Sequence, residues 1–254
     1  MKSKKLTLIL AIFFVIVVIT TLFSTMFMLA SIKVNFLNDA NVLFGTETRI
    51  IESGEFEFGQ NILFLSKKKY ISNLETKNPY LQVVNIESIF PNKIVINCLE
   101  RKELFYFQLD TNNIVVLDKF YKVLKTVNNT EVDQFVNGNI LISGFEFEDV
   151  SVGKIIKVDL QENQKLNCIY KGLFMWNESE DFLKSKLLKI EIFNGNVNLT
   201  TTDNKKIFIE NFTLLSEDKF NVAFSTYVSG VMIDNNYIKI YEDSSGKIVS
   251  VVGK

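Results

Sequence analysis

Histidine is absent from the 254 residues, and cysteine, proline and tryptophan number two, two and one. Without imidazole the chain cannot build a Ser-His-Asp or Cys-His arrangement or most zinc sites, and it lacks the commonest general base. Any catalysis would rest on carboxylates, lysine or tyrosine. Cys98 and Cys168 have neither metal-ligand nor redox spacing. Cys98 lies in an apolar, strand-like run and reads as a small buried hydrophobe. Charge of one sign is also lacking. With 28 Lys+Arg against 29 Asp+Glu the net charge is -1, which leaves no electrostatic footprint for nucleic acid.

What is present begins with Leu6–Ala30, an almost uninterrupted apolar run with Lys2, Lys4 and Lys5 before it and Lys33 after it. As a helix rising ~1.5 Å per residue, such a run reaches roughly 38 Å, enough for a hydrocarbon core of ~30 Å with some tilt. A cleaved signal peptide would have a shorter apolar region and small residues at the cut. Met28-Leu29-Ala30 lacks that spacing, and no cysteine follows for a lipid. The sequence therefore predicts a retained membrane anchor over 6–31 behind a short tail, 1–5. The lysine cluster keeps that tail cytoplasmic and sends the remainder across. Thr20, Thr21, Ser24 and Thr25 are tolerable there because their hydroxyls can bond back to the preceding turn.

The remaining ~220 residues can bury one good core or two small ones. Asn-x-Ser/Thr triplets at Asn128, Asn177, Asn198 and Asn211 are what chance supplies in an Asn-rich chain. Val42-Leu43-Phe44 reads as a strand and Gly45-Thr46 as a turn into a brief helix ended by Ser53-Gly54. After the loop Gly59-Gln60-Asn61 and apolar Ile62–Leu65, Ser66 caps a helix with Tyr70, Ile71 and Leu74 inward. Pro79 stops it. Val83–Ile86 and Ile94–Leu99 form a hairpin about Phe90-Pro91-Asn92-Lys93, and Glu100-Arg101 reads as a strand-end charge pair exposed to water. The order β-α-α-β-β makes a small sheet with two helices on one face.

Several of these pieces together resemble a known pattern. Asn78-Pro79-Tyr80-Leu81 with Val84 and Ile86, then Phe90-Pro91-Asn92 with Ile94 and Ile96, then Glu100-Arg101-Lys102, are similar to the POTRA domain of the FtsQ/DivIB family. Ser53-Gly54 and Gly59-Gln60-Asn61-Ile62-Leu63 fit the same family upstream. The resemblance implies a POTRA domain over 32–102, directly behind a single membrane span, in a family of bacterial division proteins that hold other membrane proteins together at the septum.

From Lys102 no Pro/Gly-rich linker appears, so a second unit, 103–254, follows directly. Phe105–Leu109 and Ile114–Asp118 read as strands about Asp110–Asn113. Ile140–Gly144 and Val152-Gly153-Lys154 occupy positions where the family has an apolar-Gly step and a Val-Gly pair. A helix covers about Leu160 to Phe174, with Trp176 as a packing residue at its end. Ile190 and Ile192, Asn194-Gly195, Val197 and Leu199, then Ile207 and Ile209, read as a meander. Ser216-Glu217-Asp218 opens a helix with Phe220, Ala223, Phe224 and Tyr227 on one face. The fold class expected is α+β: one transmembrane helix, a POTRA domain, and a mostly antiparallel β domain with flanking helices.

Tyr237-Ile238-Lys239-Ile240-Tyr241 and Lys247–Val252 flank a turn at Asp243–Gly246 and resemble the family's terminal edge. The predicted partner-binding edge comprises Tyr237, Ile238, Lys239, Ile240, Tyr241, Ile248, Val249 and Val251, since an edge offers unpaired backbone groups to an added strand. By spacing to Gly246, Tyr241 falls near the family's partner-contact tyrosine, whose neighbouring tryptophan has no counterpart here. The resemblance implies a non-catalytic scaffold of the cell membrane at the division septum. Its implied partners are membrane proteins resembling FtsB/DivIC and FtsL, and an FtsW or penicillin-binding protein. It implies no catalytic residue, cofactor, metal, nucleic acid or small-molecule substrate. A membrane-anchored glycoside hydrolase would use carboxylates such as Glu146/Glu148 or Glu178/Glu180, but such pairs are ordinarily solvated, and no Gly-x-Ser-x-Gly or Cys/His constellation accompanies them. A POTRA-bearing secretion or assembly factor would need a β-barrel, for which the chain lacks length and amphipathic strands.

Overall fold

The computed structural model describes residues 2–37, 47–128 and 138–254, with side chains from Leu10 onward except Phe23. The chain divides into two compact units, Met1–Arg101 and Lys102–Lys254.

The first unit opens with helix α1, Lys2–Met26. Eight consecutive side chains, Ile12 to Ile19, are exposed and apolar. At ~100° per residue they pass round the helix almost twice and cover every side of it. Thr20 and Thr21 hydroxyls donate to the Ile16 and Val17 carbonyls at 3.0 and 2.7 Å. Taken over the described residues alone, no helix is both long and apolar enough to cross a membrane.

The helix ends before the apolar run does. Phe27–Ala30 leave it and join the domain that follows: the Leu29 N–H donates to Gln60 C=O at 2.8 Å, Gly59 N–H to Leu29 C=O at 3.1 Å, Ile62 N–H to Phe27 C=O at 2.9 Å, and Ala30 N–H to Asn92 C=O at 2.8 Å. Leu29 is buried in the domain core. The first strand, β1, is Ser31–Phe36, so it starts inside the range 6–31 expected for the anchor. The expected strand Val42–Phe44 lies outside the described residues.

Helices α2 (Glu47–Gly54) and α3 (Lys67–Lys77) follow, then strands β2 (Leu81–Ile89) and β3 (Lys93–Glu100). The sheet order is β1-β3-β2, with β1 parallel and β2 antiparallel to β3. Period-two alternation sends Ile94, Ile96 and Cys98 into a core shared with Ile50, Tyr70 and Leu74. On the opposite face Asn97 bridges the strands, donating to Asn85 at 2.7 Å and accepting from Asn35 at 2.9 Å. Ser66 precedes α3 without a side-chain capping bond, and the Phe90–Pro91 peptide is cis. Arg101 is buried, contrary to the expected exposed pair with Glu100; its guanidinium meets Glu75 at 2.9 Å. Glu75 lies 26 residues earlier, on α3, so the pairing is invisible in consecutive residues.

Among its described residues the second unit forms a nine-stranded sheet of order β12-β11-β10-β9-β8-β7-β4-β5-β6. Its strands are β4 (Phe105–Gln108), β5 (Asn113–Leu117), β6 (Val123–Asn128), β7 (Ile140–Ser143), β8 (Leu187–Phe193), β9 (Asn196–Thr201), β10 (Lys206–Ile209), β11 (Tyr237–Glu242) and β12 (Ile248–Gly253). Helices α4 (Leu160–Trp176), α5 (Glu180–Lys186) and α6 (Ser216–Val228) lie in the crossovers. The sheet is more mixed than the meander reading: β4/β7, β7/β8 and β10/β11 are parallel, and the β7–β8 and β10–β11 connections carry helices that return the chain in the same direction.

Local chemistry accounts for the tight joints. Asn194 and Gly195, at φ 47° and 76°, turn β8 into β9 as a primed hairpin. Gly144 follows β7 at φ 81°, where a Cβ would lie 1.8 Å from the Ile192 carbonyl oxygen. The inward side chains of β7–β11 pack against Leu166, Ile169 and Leu173 of α4 and Phe220, Ala223 and Phe224 of α6. Trp176 stacks on Phe224 at 4.1 Å and meets Phe182 edge-on, which makes it a packing residue.

Candidate partner-binding edge

The turn Asp243–Gly246 sets the geometry of the terminal hairpin. Asp243 Oδ1 accepts from the Ser245 and Lys247 N–H groups at 2.8 and 3.0 Å. The Ser245 hydroxyl and these two N–H groups hold its carboxyl below the ordinary aspartate range. Gly246 sits at φ 80° and releases the chain into β12.

Asp243 N–H donates to Lys247 C=O at 2.9 Å. In an antiparallel ladder such pairs recur every second residue, at Tyr241/Val249 and Lys239/Val251 in the observed register. The intervening residues of β12, Ile248, Ser250 and Val252, therefore turn their N–H and C=O groups away from β11. Among the described residues no strand pairs with that outer side.

The eight residues predicted as an edge thus separate into two groups. Ile248, Val249 and Val251 lie on β12, the true edge. Tyr237, Ile238, Lys239, Ile240 and Tyr241 lie on β11, which pairs with β10 on one side and β12 on the other, so its backbone is occupied. Both strands read alike as short, apolar and terminal; which is outermost depends on the parallel pairing of β11 with β10, a long-range event. Ile238 and Ile240 are fully buried. Ser250, which is not among the predicted edge residues, is the mid-edge residue, and its hydroxyl meets that of Thr226 on α6 at 3.0 Å.

The face opposite α6 is solvated and mixed. Tyr237, Lys239 and Tyr241 of β11 share it with Val249 and Val251 of β12, and Val251 is 45% exposed. Lys239 Nζ stands 5.3 Å from the Tyr241 ring centre and 5.9 Å from that of Phe208, and pairs with Glu210 at 3.2 Å. Aromatic rings, one cation and an open backbone form a surface suited to an extended peptide, since main-chain bonds supply affinity and neighbouring side chains select sequence.

Two of the carboxylates considered for hydrolysis are engaged by lysines. Glu148 is bound to Lys157 at 2.6 Å, and Glu180 to Lys119 at 3.0 Å. Among the described residues no group of three or more His, Cys, Asp or Glu could hold a metal ion. Cys98 is a free, buried thiol pushed up to about 11 by desolvation, and Cys168 is also free.

Residues 44–101 match the POTRA domain, FtsQ-type. In this stretch the chain is similar to the FtsQ/DivIB family. It is 29% identical over 187 residues to the cell division protein DivIB of Clostridium botulinum strain Hall, covering 70% of each chain. It is 26% identical over 202 residues to DivIB of Clostridium acetobutylicum, covering 78% of this chain and 73% of that one. DivIB of Clostridium tetani is 27% identical over 176 residues, 69% of this chain and 62% of its own. The matched span includes the described helices and strands α2 to β3 of the first unit, and the relatives named are cell division proteins.

Proposed function

We propose that the chain is a single-pass scaffold of the division septum, non-catalytic, with its N-terminus cytoplasmic and both folded units outside the membrane. The apolar run from Leu6, the lysines at 2, 4 and 5, and the all-round apolar exposure of α1 support the anchor. A helix with that surface is stable in lipid and costly in water.

The second unit captures an extended segment of a partner resembling FtsB or DivIC, held beside an FtsL-like protein, as a further strand on β12. The POTRA unit engages another membrane component, such as an FtsW or penicillin-binding protein. The observation that carries the reading is the outward backbone of Ile248, Ser250 and Val252 on a strand with one neighbour among the described residues.

Co-purification of the full chain with an FtsB/DivIC-type partner tests it. Ser250→Pro removes an outward N–H without touching the β11 ladder, a position where an edge strand tolerates proline. Ser250→Ala removes only the hydroxyl. The proline variant should weaken binding by about tenfold or more while the alanine variant binds normally. Equal binding by both would dismiss strand addition. Ile240→Pro is unsuitable for this purpose because Ile240 is buried in the paired strand β11.

A further inference from the structure

The end of α1 is tied to the first folded unit with no free linker, and the tie has an apolar collar. Residues 27–30 bond to 59–62 and to Asn92, so the loop 58–64 and the β2–β3 turn stand beside the helix exit. Phe27 meets Phe90 edge-on at 5.6 Å. Around this junction Met28, Phe58, Leu63, Phe64 and Phe90 are exposed, Phe64 by 79%.

Four exposed large apolar side chains on two loops are costly in water, and their own domain core does not use them. Asn61 fixes the loop by accepting from the Leu63 N–H at 2.9 Å, which commits Ile62 inward and leaves Leu63 and Phe64 outward. Lys67 and Lys68, beyond Leu65 and Ser66, are exposed; Lys69 pairs with Glu57 at 3.1 Å.

We propose that this collar is a lipid-binding surface: Phe58, Leu63, Phe64 and Phe90 sink into the outer leaflet around α1, and Lys67 and Lys68 meet anionic headgroups. The occupant follows from continuity, because the collar surrounds the point where the apolar helix enters the folded unit. Aromatic tips backed by lysines are the chemistry of an interfacial seat. The inference rests on the reading that α1 spans the membrane. Its consequence is positional: the POTRA unit is held flat against the bilayer and does not swing on a tether.

The test uses the full chain in bilayer nanodiscs of phosphatidylcholine and phosphatidylglycerol. A polarity-sensitive fluorophore is placed by Phe64→Cys in a Cys168→Ser background, where the buried Cys98 thiol is left unlabelled. Lipids brominated near the headgroup end of their chains should quench it by about half or more, with less quenching when phosphatidylglycerol is omitted. Val15→Cys, labelled alike, reports on the helix through lipids brominated near the chain end. Quenching at 15 without quenching at 64 overturns the lipid seat and leaves the span intact. No quenching at 15 overturns the span, and the seat with it.

Discussion

Arg101 and Glu75 form an ion pair at 2.9 Å with side chains only 7% and 18% exposed, joining the end of β3 to α3. Glu75 also accepts from the Val83 N–H at 2.8 Å, and Arg101 Nε donates to the Leu81 carbonyl at 3.2 Å. The pair thus satisfies backbone groups at the start of β2 from two directions.

Glu75→Ala should cost the first unit about 3 kcal/mol, because it leaves a buried guanidinium without its anion and strands the Val83 amide. Arg101→Lys should cost less, since it keeps charge but loses the forked geometry. Denaturant midpoints of the full chain, followed by a probe in the first unit, check the order.

Leu29→Ala should destabilise the same unit by about 2 to 4 kcal/mol, the usual range for emptying a core leucine site. Leu29 is 2% exposed, whereas Leu22 on α1 is 62% exposed. Leu22→Ala should therefore leave the unit's unfolding unchanged. Hydrogen exchange of the β3 amides separates the two outcomes, and equal effects would contradict the docking of residues 27–30.

Gly144→Ala should destabilise the second unit by about 3 kcal/mol or more. The new Cβ would collide with the Ile192 carbonyl oxygen, and the backbone is left-handed there. Urea unfolding measures it.

The Tyr227 hydroxyl donates to Asp203 at 2.9 Å. Burial first, then this bond and the carboxylate charge, push the phenol from 10.0 up to about 12. Burial is also the largest influence on Asp203 and acts to raise it, but hydrogen bonds from Thr201 and Tyr227 outweigh it and leave the carboxyl below its ordinary value. The folded chain holds the phenolic proton more tightly than the unfolded chain does, so this contribution to stability is complete below pH 10 and is lost as pH rises toward about 12. Melting temperature should fall through that window more steeply in the parent protein than in Tyr227→Phe. Parallel slopes would remove the coupling.

Local patterns were legible before any fold was known. Asn194-Gly195 announced a hairpin, Phe220, Ala223 and Phe224 announced the buried stripe of α6, and the segment Ser53 to Lys102 carried enough pieces in order to resemble a POTRA domain. Each depends on contacts a few residues apart, so each is written in consecutive residues. Leu29 was not legible, because a leucine destined for a protein core and one destined for lipid have the same hydropathy. Arg101 was not legible either, since its partner lies 26 residues away on α3.

By itself, then, the sequence determined the Asn194-Gly195 turn and the apolar stripe of α6, that histidine chemistry is excluded, and that an apolar run precedes a POTRA-like segment. Only the tertiary structure decided that the run ends its helix at Met26 and spends Leu29 on a core, and that β12, not β11, presents a free backbone. These outcomes turn on which distant segments pair, and a strand's own residues do not encode whether it has one neighbour or two.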